Sequence, residues 1–139
     1  LLKSRGTRII KQMKKIFTNG CFDVLHRGHF ELLKYCSGLG SVVVGLNSDS
    51  SVRRLKGNSR PYFTQEDRKF MLESCKHVDE VVIFEEDTPY NLIKHIKPDI
   101  IVKGGDYKEN EVVGNDLAEV KIFNYVKGYS TTNILGDMK

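Results

Sequence analysis

Two histidines, His26 and His29, stand three residues apart with Gly28 between them, in the stretch KKIFTNGCFDVLHRGHFELLKYC from Lys14 to Cys36. Imidazole is the side chain whose ordinary pKa lies nearest neutral pH, so a pair can donate hydrogen bonds to an anion or change charge as one binds. The i, i+3 spacing places both rings on one face if the segment is helical. The run KIFTN before them is strand-like, and Phe30, Leu32, Leu33 and Cys36 after them have helical spacing. The histidines therefore sit where a strand hands over to a helix. The first N–H groups of a helix lack intrahelical partners and carry partial positive charge, which suits the place to phosphate. Gly28 removes a side chain that would otherwise stand against a ligand. A bare histidine pair near a helix start would mean little. The ordered set of strand, Asn19-Gly20 turn, Phe22-Asp23, histidine pair and apolar helix is what points to a site. Zinc would need further ligands, and none follows at matching spacing, so no metal centre is expected.

Three other segments carry chemistry. In KGGDY, Gly104 and Gly105 allow close backbone approach, Lys103 supplies a cation and Asp106 can accept hydroxyl hydrogen bonds. It is not a GxGxxG pattern, so a dinucleotide cofactor is not indicated. RRLKGNSRP, Arg53 to Pro61, carries four cations and reads as a loop after the second strand, able to clamp a polyphosphate. GYSTTN opens a last helix with Ser130 as its cap, leaving hydroxyls and N–H groups for a ligand. His77 and His95 read as structural.

Positioning these residues requires a layered frame. Strands are expected near 15–19, 41–47, 79–84, 98–103 and 119–125, and helices near 28–38, 64–76, 88–96 and 131–138. Alternation of the two predicts an α/β fold with a parallel sheet between helices, α/β/α in three layers. The second and fourth strands are continuously apolar, as strands buried on both faces are. Thr64 with Glu66 and Asp67 gives its helix a capped, acidic start. Right-handed crossovers make the sheet doubly wound, in the order 3-2-1-4-5, and ligands in such sheets bind at the carboxyl ends of the strands where the order reverses. That switch falls between the first and fourth strands, whose following loops are TNGCFDVLHRGH and KGGDYKEN. Residues 14–139 form one domain, with 1–13 as an N-terminal extension.

Composition narrows the class. The chain of 139 residues has 22 basic and 18 acidic side chains and a formal charge of +4, with no tryptophan. This is too weak and dispersed a charge for a nucleic-acid surface. Cys21, Cys36 and Cys75 form no CxxC pair, which favours a reducing, cytoplasmic setting over a disulfide framework. The apolar runs are too short to span a bilayer, and LLKSRGTRIIKQMKK lacks the apolar core of a signal peptide, so no membrane partner is expected.

Taken together, TNGCFDVLHRGH, NSD, LKGNSRP, VKGGDY and GYSTTNIL resemble the HxGH nucleotidyltransferases, the cytidylyltransferase-like superfamily. Within it they most resemble the heptose 1-phosphate adenylyltransferases, which also occur as one half of bifunctional kinase–adenylyltransferases. The similarity covers roughly residues 14–139, with motifs in the same order. The resemblance implies a Rossmann-like fold and transfer of AMP from ATP to a sugar 1-phosphate, releasing pyrophosphate. It implies Mg2+ arriving with ATP, a homodimer, and a sugar kinase acting upstream. By position, it places catalysis on His26, His29 and Lys56. Nucleotide binding falls on Thr18, Asn19, Gly20, Cys21, Phe22, His26, Gly28 and His29. It continues through Lys103, Gly105, Asp106, Tyr125, Gly128, Ser130, Thr131 and Thr132. Acceptor binding falls on Asp23, Asn47, Asp49, Lys56 and Arg60. The related glycerol-phosphate cytidylyltransferases carry an arginine and an acidic residue where this chain has Tyr125 and Lys127, which argues against that branch. Cytidylyl transfer to glycerol 3-phosphate remains the alternative, with flavin adenylylation and a non-catalytic nucleotide-binding module further off. The chemistry suits the residues. A phosphate monoester, with its second pKa near ~6, is largely dianionic at neutral pH and needs no strong base. It needs relief from anion repulsion and stabilisation of the departing pyrophosphate, which cations and imidazole donors supply.

Overall fold

The computed structural model describes residues 14–124. Five strands form one parallel sheet: β1 (Lys15–Gly20), β2 (Ser41–Asn47), β3 (Glu80–Phe84), β4 (Ile100–Gly104) and β5 (Glu119–Phe123), in the spatial order β3-β2-β1-β4-β5. The expected order and handover points are therefore observed. Register places Gly20 beside Leu46, Asn47 beside Phe84, and Gly104 beside Phe123, so the strand ends that carry the motifs are level.

Alternate residues of the central strands feed two separate cores, as the period of a strand requires. Ile16, Val42, Val44, Leu46, Ile100 and Val102 pack on one face against Leu32, Leu33 and Cys36 of helix α1 (Arg27–Leu39). Helix α3 (Gln65–Glu73) adds Leu72 to the same face. Phe17, Val43 and Ile101 turn the other way, against Ile93 of helix α4 (Tyr90–Ile96). Gly45 in β2 is required here, because a Cβ would lie 2.7 Å from the Phe17 ring and 3.3 Å from Leu92. Thr64 caps α3 by accepting from the Asp67 N–H, followed by Glu66 and Asp67 in the first turn, as expected.

One element corrects the sequence reading. The first four residues of the basic segment, Arg53 to Lys56, are not loop but the end of helix α2 (Asp49–Lys56), and only the residues after Gly57 form the loop. Its sequence DSSVRRLK has no apolar stripe to reveal it. Ser48 caps it by accepting from the Ser51 N–H, and the Ser48 hydroxyl bonds Glu85 after β3. Asp49 is tied to α3 through its N–H to Gln65 and its carboxylate to Arg68. Neighbouring elements, not local propensity, hold this helix. The expected helix at 131–138 and the extension 1–13 lie outside the described residues. Among the described residues no helix is long and apolar enough to cross a membrane.

Candidate active site

The carboxyl ends of β1, β2, β3 and β4 open on a cavity of about 690 Å3. The β1–α1 turn supplies its floor. Asn19, Gly20, Cys21, Phe22 and Asp23 line it, followed by both histidines. The chain makes this turn with two left-handed residues, Phe22 at φ 47° and Val24 at φ 54°. That conformation is unfavourable for a branched side chain, so tertiary contacts must hold it. Phe22 is buried in the core beneath the cavity, and the Asp23 carboxylate accepts from the N–H groups of Tyr62 and Phe63, at 2.8 and 3.1 Å. Asp23, expected near the acceptor, pins the loop after α2 to the β1–α1 turn.

His26 is the N-cap of α1. Its Nδ1 accepts from the Gly28 N–H at 3.0 Å, and the His26 N–H donates in return to Nδ1 of His29 at 3.2 Å. This is a capping box in which two imidazoles play the parts usually taken by Ser or Thr and by Glu or Gln. The arrangement fixes chemistry as well as the helix end. With each Nδ1 accepting, each neutral ring carries its hydrogen on Nε2 as a donor. The rings stack at 3.9 Å between centroids, and His29 also meets Phe22 at 5.4 Å. Burial, with the neighbouring His26 ring, pushes the His29 pKa down to about 4, and burial lowers that of His26. At neutral pH the pair is an uncharged set of directional donors.

Charge comes from other elements that line the cavity. Lys56 at the end of α2, Arg60 in the following loop and Lys103 at the end of β4 all line it. Burial lowers the Lys103 pKa, with the Lys56 charge adding to the effect, and its ammonium lies 5.0 Å from the Tyr107 ring centroid. Arg60 stacks over Tyr62 at 5.1 Å. The Cys21 thiol pKa is raised by burial against the opposing charges of Lys56, Arg68 and Lys103, which keeps it in the thiol form and makes it a slow nucleophile.

Asn47 also lines the cavity, whereas Thr18, Gly28, Gly105, Asp106 and Asp49 lie outside its wall. Thr18 is buried in β1 behind the turn, Gly28 sits in the first turn of α1 with its N–H on the His26 ring, and Asp49 faces Arg68. Tyr125, Gly128, Ser130, Thr131 and Thr132 fall outside the described residues. Sequence reasoning missed one wall altogether. Asp87, Thr88 and Pro89, after β3, line the cavity as well, with Tyr107, Glu111 and Val113 from the β4–β5 connection. The signal was present, since EEDTPY also follows a strand at its carboxyl end, where such sheets bind ligands.

Known proteins are similar to this chain in sequence and fold. A sequence model described as cytidylyltransferase-like matches residues 17–135. The bifunctional protein HldE of Nitratiruptor sp. is 56% identical over 140 residues, which is 99% of this chain and 29% of that protein. HldE of Helicobacter pylori is 51% identical over 130 residues, 92% of this chain and 28% of that protein. The chain thus spans less than a third of the curated relatives it matches. Among solved structures, a lipopolysaccharide core biosynthesis protein from Thermoplasma volcanium has a TM-score of 0.68 at 30% identity, covering 84% of this chain and 98% of its own. The pantothenate synthetase of Thermus thermophilus, at 18% identity and a TM-score of 0.64, covering 88% of this chain and 62% of its own, shares the fold. An imidazole pair built into a helix cap, on a sheet of this order, in a sequence matched over most of its length, makes the chain a member of the cytidylyltransferase-like family and a nucleotidyltransferase.

Proposed function

We propose that the chain transfers AMP from ATP to a sugar 1-phosphate, a heptose 1-phosphate by its sequence resemblance, and releases pyrophosphate. The observation that carries this reading is the meeting of two chemistries in one cavity. Its lining holds two Nε2–H imidazoles at the start of α1 together with the cations Lys56, Arg60 and Lys103.

In the proposed reaction an oxygen of the acceptor phosphate attacks the α-phosphorus of ATP. The bond from the α-phosphorus to the bridging oxygen breaks, and pyrophosphate leaves with the electron pair. The acceptor is already a dianion, so no proton has to be taken from it. What opposes the reaction is the meeting of two anions. Lys56 and Arg60 offset that repulsion, and the imidazole donors bond oxygens whose charge grows in the transition state. Neutral imidazoles suit this role because their donor direction is fixed beforehand by the cap. Among the described residues no group of three or more His, Cys, Asp or Glu could hold a metal. Mg2+ would enter with ATP, held by phosphate oxygens and water, and would neutralise part of the triphosphate charge.

A sugar kinase supplying the 1-phosphate is part of the same proposal, supported by the bifunctional relatives and their greater length. Cytidylyl transfer to glycerol 3-phosphate is the reading to exclude. Pyrophosphate release should favour ATP with a heptose 1-phosphate over CTP by at least about tenfold in kcat/KM, roughly 1.4 kcal/mol in the transition state. A preference for CTP with glycerol 3-phosphate would move the chain to the other branch. No release with either pair would leave only nucleotide binding.

A further inference from the structure

We propose that Arg68 is a positioning residue for nucleotidyl transfer, locking the phosphate turn after β1 and the Lys56-bearing helix α2 in one register beneath the cavity. The inference rests on the transfer reading above.

Arg68 has no solvent exposure and lies on α3, outside the cavity wall. Its guanidinium reaches four segments at once. Nη1 donates to the carbonyl of Cys21 at 2.7 Å and to that of Asn47 at 2.9 Å. Nε donates to the Phe63 carbonyl at 2.9 Å, and Nη2 to Oδ1 of Asp49 at 2.8 Å. Cys21 belongs to the turn that leads to the histidines. Asn47 ends β2, Asp49 begins α2, which ends in Lys56, and Phe63 closes the loop that carries Arg60. The same residue is also held through its N–H, which donates to Asp23. One side chain thus ties together the turn that leads to the histidines, the helix that ends in Lys56 and the loop that carries Arg60.

Stability alone does not account for this group. Taking a guanidinium out of water is costly, and a packed apolar side chain often serves a core as well or better. What an apolar residue cannot do is hold three main-chain carbonyls and a carboxylate in a fixed plane. Lysine cannot either, because its ammonium is a point charge without the planar fork. Transfer between two bound anions depends on such alignment, and a displacement of about 1 Å can cost about a hundredfold in rate.

The test compares the full chain with Arg68→Lys and with Val42→Ala. Val42 is fully buried at the first turn-distant end of β2, so its truncation loosens the core without touching the turn. Two quantities are read below the melting point of every variant: kcat and KM for ATP with a heptose 1-phosphate, and the rate of alkylation of Cys21 by iodoacetamide. Cys36 and Cys75 are buried in the core, so Cys21 reports on the turn. For Arg68→Lys, kcat should fall about 10- to 100-fold while KM for ATP changes less than about threefold. Alkylation of Cys21 should quicken about tenfold as the turn loosens. Val42→Ala should lower the melting temperature and leave both quantities within about twofold of wild type. Should Arg68→Lys fail to fold, Asp49→Asn weakens one arm of the clamp and should show the same two shifts at about three- to tenfold. Wild-type values of both in the folded Arg68 or Asp49 variant, or equal shifts in Val42→Ala, would make Arg68 a core residue only. If the wild type itself transfers nothing to the sugar phosphate, the transfer reading fails, and the alkylation rates still decide whether Arg68 holds the turn.

Discussion

The β1–α1 turn and the basic segment from Arg53 to Arg60 both contribute to one cavity and are built in opposite ways. In the turn, Phe22 and Asp23 are buried, two residues are held left-handed, and the His26 ring accepts from the Gly28 N–H while the His29 ring accepts from the His26 N–H. In the segment, Arg53, Arg54 and Lys56 are exposed, and Arg54 is committed to Asp87 rather than to the cavity. The rings are uncharged and aimed; the cations are charged and reach in from long stems. The difference follows from what each must do. A donor that bonds a developing charge gains from being fixed in advance, whereas repulsion between anions is relieved by charge placed less strictly.

Substituting the aimed side should have the largest effect. His29→Gln keeps the capping box, since the Gln oxygen can also accept from the N-cap N–H, but its amide NH2 then stands nearer the helix and at another angle than the imidazole Nε2–H, so the aimed donor is displaced. Turnover should fall about 10²–10³-fold, the usual loss for one transition-state donor, with stability changed by no more than about 1 kcal/mol. A melting curve and kcat on the same preparation check both halves. Normal turnover in the glutamine variant would reduce His29 to a cap.

Acid should expose the same asymmetry as stability. The His29 pKa is about 4 when folded against an ordinary 6.5, so between these values the unfolded chain binds more protons. The contribution is complete above pH 6.5 and is lost as pH falls through about 4, to the order of 3 kcal/mol. His26, also lowered by burial, acts in the same direction. Denaturant titrations at pH 7, 5.5 and 4.5 should show this loss in the wild type, and a smaller one in His29→Gln. Parallel slopes for the two proteins would place the acid sensitivity in the carboxylates instead.

The two regions also differed in how far the sequence betrayed them. Strands such as SVVVGLN and the turn TNGCFDVLHRGH were legible because continuous burial and a glycine-bearing handover leave a local pattern. Helix α2 was not, because Ser48, Asp49 and Ser51 are held by Glu85, Arg68 and Glu86, residues far along the chain. Arg68 was hidden for the same reason. In QEDRKFMLE it is one charge among several, and only the folded chain brings Cys21, Asn47, Asp49 and Phe63 around it. The histidine spacing marked a site, but the reciprocal Nδ1 bonds that set the ring tautomers depend on backbone geometry that spacing does not specify.

The basic side should yield the smallest effect, and its character is the sharper test. Lys56 is exposed at the last turn of α2, and among the described residues no ion pair engages it. Its charge is nevertheless felt at the Cys21 thiol and at Lys103, which places it electrically inside the cavity. Lys56→Ala should lower kcat/KM for transfer about tenfold while stability stays within about 0.5 kcal/mol, since Arg53 and Arg54 still face the carboxyl end of the helix. Lys56→Arg should restore most of the rate, because the requirement is for charge rather than a set geometry. Salt separates this from a steric effect. As ionic strength rises from about 0.05 to 0.5 M the screening length shortens, so wild type and alanine variant should converge, whereas the gap between wild type and His29→Gln should persist. A salt-independent Lys56 gap would mean that its ammonium bonds the substrate as directionally as the imidazoles do, and the division between an aimed side and a charged side would fall.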